Sequence, residues 1–106
     1  MVEARIQGSV LKNMVEAVRE MQVNDANFIF SCTCFSLIAM DPTRMAMVDF
    51  HLLSDAFENY CCHRTMSIGV NVNNIAKILR SAANDDTITI KADFGDTFAT
   101  LIIKRP

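Results

Sequence analysis

Apolar and charged side chains alternate from Val2 to Ile6, the period of a strand with one buried face. Gly8-Ser9 breaks that alternation, and Ser9 is the expected helix N-cap. Beyond it the apolar positions are Val10, Leu11, Met14, Val15, Val18 and Met21. They recur at helical spacing and predict an amphipathic helix over 10–21, with Lys12, Asn13, Glu16, Arg19 and Glu20 on its polar face. Asn24-Asp25 is a turn signal, and strand-like runs follow at 27–31, 35–40 and 45–53. The break at Asp41-Pro42-Thr43 separates the last two, because proline cannot donate to a sheet ladder. Residues 58–63 and 66–70 read as two further strands.

The opening pattern then recurs. The strand at 66–70 runs into Asn71, a good helix cap, and a helix is expected over 72–82 with Ile75, Ala76, Ile78, Leu79 and Ala82 apolar. Lys77 and Arg80 lie three apart on its other side. Asn84-Asp85-Asp86 ends it, and strands at 87–92 and 97–103 flank a turn at 93–96. The chain therefore reads as an α+β domain written about twice as strand, helix and strands, with the second copy one strand short. Two helices are expected to pack on antiparallel sheet.

The 106 residues, 51% of them hydrophobic, fit one domain over 1–106 and exclude a solvated coil. A net charge of −2 means that any nucleic-acid surface must come from local segregation of the 10 basic residues. An acid and a base stand at Glu3 and Arg5, where a secretory signal would be apolar, and no run is long enough to cross a bilayer. The expectation is a soluble, intracellular protein whose Cys32, Cys34, Cys61 and Cys62 are reduced thiols. On strands Cys32 and Cys34 would share a face while Cys61 and Cys62 would point apart, a poor zinc geometry; no metal and no cofactor is expected. His51 and His63 read as isolated, no Ser/His/Asp arrangement is visible, and only three glycines are present, so no enzyme is expected.

Read in order, the segments resemble the proliferating cell nuclear antigen family, the eukaryotic DNA sliding clamps. The stretch from Glu3 to Lys12 resembles that family's first strand and helix, and Phe35-Ser36-Leu37-Ile38-Ala39-Met40-Asp41 its signature strand ending in Met-Asp. The stretch from Tyr60 to Asn71 is similar to its Arg-Cys-Asp-Arg segment. Ala76-Lys77-Ile78-Leu79-Arg80 with 84–90 resembles its second helix and following strand. The resemblance implies the N-terminal half of a clamp subunit, with a DNA-clamp fold whose helices line a ring of three chains around duplex DNA.

It further implies a nuclear processivity factor in replication and repair, contacting the phosphate backbone without base readout. Lys12 and Arg19, seven apart on one helix face, with Lys77, Arg80 and Arg64, are the expected DNA-facing set. Met40, Arg44 and Met45 match part of the family's pocket for the short peptides of polymerases and other partners. Asn13 and Glu16 limit the positive potential, and Arg44 stands where the family has a histidine. The family's next strand, connector and second domain lie past the last residue. That leaves open a module that binds only partners or full-length clamp subunits as a decoy, or a vestigial product. The family's first strand is one residue longer, so a shifted turn or bulge is expected, with a residue regained near Gln22-Val23.

Overall fold

The alternation at the N-terminus forms β1 (Val2–Gln7), with Val2, Ala4 and Ile6 almost wholly buried and Glu3 and Arg5 on the other face. The computed structural model describes residues 1–40, 43, 47–93 and 100–105. The elements that follow are α1 (Gly8–Glu20), β2 (Asp25–Phe30), β3 (Cys34–Met40), β4 (Met47–Leu53), a 3-10 turn (Ser54–Ala56), β5 (Asn59–Cys62), β6 (Met66–Asn71), α2 (Val72–Arg80), β7 (Thr87–Ala92) and β8 (Thr100–Lys104). They make an α+β domain of two helices and two four-stranded antiparallel sheets. Of the expected strand at 97–103, the part before Thr100 lies outside the described residues, as do 45 and 46 of the strand expected at 45–53.

The sheets run β5-β1-β7-β8 and β4-β3-β2-β6. Each unit thus lends its opening strand to the other: β1 pairs with β7, the strand after α2, and β6 pairs with β2, the strand after α1. The helix starts obey the same exchange. Gly8 N–H donates to Asp86 O at 2.7 Å and Ser9 N–H to Asn84 O at 3.1 Å, both in the segment after α2. Val72 N–H donates to Asn24 O at 2.9 Å, in the segment after α1.

This exchange corrects the expected Ser9 cap. Ser9 lies inside α1, Gln7 occupies the cap position without a side-chain bond, and carbonyls of the 84–86 turn satisfy the amides a cap would serve. Asn71 does cap α2, its Oδ1 accepting from Asn74 N–H at 3.0 Å. The helix ends at Arg80 rather than 82, where the Ser81 hydroxyl donates to Ile78 O.

A single buried cluster draws on both helices and both sheets. At its centre Phe28, Phe30 and Phe35 pack edge-on or tilted within 6.5 Å, and Phe57 and Tyr60 continue the aromatic row. The inward alternation of β1 is intact, and α1 follows it with no intervening residue.

After α1 the chain turns at Gln22, whose φ of 60° is left-handed. Its amide donates to Arg19 O at 2.9 Å and closes the helix, at a position where glycine avoids the Cβ clash. Gln22→Gly is accordingly expected to raise stability by about 1 kcal/mol, read as an upward shift of the urea midpoint at unchanged slope.

Candidate nucleic-acid interface

The helices α1 and α2 pack side by side, and a narrow seam between them is lined by Lys12, Val15, Glu16, Ala76, Leu79 and Arg80. Their buried sides are Leu11, Met14, Val15 and Val18 on α1, and Val72, Ala76 and Leu79 on α2. Polar side chains are thereby left on the outer surface of the pair.

The four helical bases are not equivalent. Lys12 Nζ donates to Ala82 O at 2.8 Å, crossing from α1 to the exit of α2 and tying the ammonium to a main-chain carbonyl. Arg19 gives Nε and Nη2 to Glu16 Oε2 at 3.2 and 2.9 Å, an ion pair within one helical turn. Lys77 and Arg80 are exposed, and among the described residues no carboxylate pairs with either. α1 carries Lys12 and Arg19 against Glu16 and Glu20, whereas α2 carries Lys77 and Arg80 and no acid. The positive character of the surface therefore belongs to α2. Arg64 is exposed in the β5–β6 connection, at the end of β6 away from α2, so its place in sequence does not bring it to the helix pair.

Met40 ends β3 with 49% exposure and is paired in register with Met47 of β4, 58% exposed. Arg44 and Met45, the other expected pocket residues, lie outside the described residues. Met47 was missed in the sequence, although it begins the outward series Met47, Asp49, His51 and Leu53.

That same sheet face overturns the reading of His51 as isolated. His51 Nε2 meets Asp49 Oδ1 at 2.8 Å, and Nδ1 lies 3.0 Å from Ser36 Oγ and 3.7 Å from Cys34 Sγ. A Ser/His/Asp arrangement does exist, because strand alternation puts Asp49 and His51 on one face and pairing sets His51 opposite Ser36. Nothing in the linear spacing of 36, 49 and 51 shows it without the β3–β4 register.

His63 lies with Nε2 3.5 Å from Cys61 Sγ. Cys61 is exposed and Cys62 buried, as adjacent strand residues should be, whereas Cys32 precedes β3 and does not share a strand with Cys34. Among the described residues no three His, Cys, Asp or Glu side chains could hold a metal ion. Tyr60 donates its hydroxyl to Ser31 O at 2.6 Å and Cys34 O at 2.8 Å. Burial pushes its phenol well above the ordinary value, with the neighbouring cysteines adding to the shift.

Among the described residues no helix is long and apolar enough to cross a membrane. The family model for proliferating cell nuclear antigen, N-terminal domain, matches residues 1–106. The two helices, two antiparallel sheets and doubled unit are compatible with that fold.

Proposed function

The chain belongs to the proliferating cell nuclear antigen family, as its N-terminal domain, and on that premise we propose that it contacts duplex DNA without sequence preference, as a nuclear sliding-clamp component supporting polymerase processivity. The observation that carries this reading is the helix pair, whose exposed surface holds Lys77 and Arg80 with no acid on the same helix. A sliding contact needs this chemistry: cations that meet phosphates, and no side chains that read base edges. Lys12 serves mainly to hold α1 against the exit of α2, and Arg19 must leave Glu16 before it can meet a phosphate. Arg64 has the weakest case of the five expected DNA-facing residues, since it stands apart from the helices. The contact is correspondingly weak and steeply dependent on salt.

Partners fit the opposite side of the domain. Met40 and Met47 form an exposed apolar pair, the chemistry that a short apolar peptide from a polymerase or another clamp-binding protein would meet. Full-length clamp subunits are the partners through which the domain would enter a ring.

The test is fluorescence anisotropy of a generic duplex across a salt series. Lys77→Ala with Arg80→Ala is expected to reduce the steepness of log affinity against log salt by about 2 and to weaken binding about tenfold at low salt. Arg19→Ala should change both far less. Equal slopes for the parent and the double variant would remove DNA contact from this helix. Retention on circular DNA together with full-length clamp subunits then tests the processivity role separately.

A further inference from the structure

We infer that Cys34 is a nucleophilic thiol site, taking small disulfides by thiol–disulfide exchange with His51 as its base and Asp49 holding that base. The arrangement spans two strands. Cys34 and Ser36 lie on one face of β3, and Asp49 and His51 on the same face of β4, with Ser36 directly opposite His51.

The carboxylate settles which nitrogen is free to act. His51 Nε2–H donates to Asp49 Oδ1 at 2.8 Å, which leaves the Nδ1 lone pair directed at Ser36 Oγ, 3.0 Å away, and Cys34 Sγ, 3.7 Å away. Two nucleophile types thus share one base. Ser36 is buried, whereas Cys34 is half-buried and its sulfur reaches the exposed side of the sheet. Sulfur is also the better nucleophile toward a soft electrophile.

The reaction class follows from what surrounds the thiol. Acyl transfer needs amide donors aimed at a developing oxyanion. β3 is paired on both sides, by β2 and β4, and the Cys34 amide donates to Ser31 Oγ at 3.1 Å, so the strand offers no such pair. Exchange at a disulfide develops no oxyanion and needs only a thiolate with access. Cys34 Sγ attacks one sulfur of R–S–S–R as its proton passes to His51 Nδ1. A new S–S bond forms, the original S–S bond breaks, and the leaving thiolate takes up a proton as R–SH. Cys34 is oxidised to the mixed disulfide and the departing sulfur is reduced.

The other cysteines provide comparators in the same molecule. Cys32 is exposed, and among the described residues no imidazole is bonded to it. Cys61 has His63 at 3.5 Å, with no carboxylate paired to that ring among the described residues. Cys62 is buried and its sulfur donates to Arg64 O at 3.0 Å, so its labelling reports loss of fold.

The experiment is timed labelling of the whole chain with neutral dithiodipyridine at pH 7, with each cysteine followed by peptide mass spectrometry. Cys34 is expected to react about tenfold faster than Cys32. His51→Gln should bring Cys34 down to the rate of Cys32 while Cys32 itself is unchanged and Cys62 stays slow; Asp49→Asn should lower the Cys34 rate part of the way. Cys34 and Cys32 reacting at one rate in the unsubstituted chain would overturn the inference, and so would an unchanged Cys34 rate in His51→Gln.

Discussion

Phe35→Ala is expected to remove about 4 kcal/mol of folding free energy. Phe35 is fully buried, and its ring centre stands 5.3 Å from Phe28, 5.0 Å from Phe30 and 5.9 Å from Phe57. Among the described residues it is the one ring in contact with three others, so truncation withdraws both its own buried area and the edge-on contacts of its neighbours. The site can collapse only poorly. Phe28 and Phe30 belong to β2, which is held between β3 and β6, and cannot move into the space without breaking a ladder. Against a total of about 5–15 kcal/mol for an ordinary domain, the variant should be partly unfolded at moderate urea. Met40→Ala on the outer face of the same strand is the control, since Met40 is 49% exposed; its cost should stay below about 0.5 kcal/mol. A Phe35→Ala cost under about 1.5 kcal/mol would show that the aromatic row is not where the domain's stability is concentrated.

Periodicity carried most of the architecture because the local and global rules agree here. The stripe from Leu11 to Val18 and the inward series of β1 and β7 each bury the apolar residues their spacing picks out, with Val10 half-buried at the edge of the stripe. What periodicity could not show is pairing between distant segments. The exchange of β1 and β6 between units is a matter of register, and with it come the main-chain contacts that make a Ser9 cap unnecessary. The charges show the same limit. Lys12, Arg19, Lys77 and Arg80 are equal candidates in the sequence, yet only the folded chain shows Lys12 spent on Ala82 O and Arg19 on Glu16. His51 is the clearest instance, since its partners are Asp49, two residues before it, and Ser36 and Cys34, across the β3–β4 pairing.

Gly8→Ala is the second large expected effect, and its sign is opposite to the usual one. In an exposed helix this exchange gains about 1 kcal/mol, because alanine gives up less backbone freedom. Here a Cβ would stand 2.8 Å from Ala83 O and 3.1 Å from Asp86 O, and both are main-chain atoms. Neither carbonyl can easily give way. Asp86 O accepts the Gly8 amide at 2.7 Å, and the Asp86 carboxylate accepts Ala83 N–H at 2.8 Å, which locks the turn that carries both. The Lys12 ammonium is bonded one residue earlier, at Ala82 O. Separating α1 from this turn therefore strains the main-chain contact and the side-chain contact together. The clash should outweigh the helix gain and leave a net loss of about 2 kcal/mol, measured by urea unfolding. The mechanism makes a second demand. In an Asp86→Ala background, where the turn is no longer tied through Ala83, the same Gly8→Ala change should cost at least about 0.5 kcal/mol less. Equal costs in both backgrounds would mean that the turn yields freely and that α1 is placed by its apolar face alone. Coupling between them would mean that the spacing of the two helices, and with it the position of Lys77 and Arg80 relative to α1, is set by contact between backbones at Gly8.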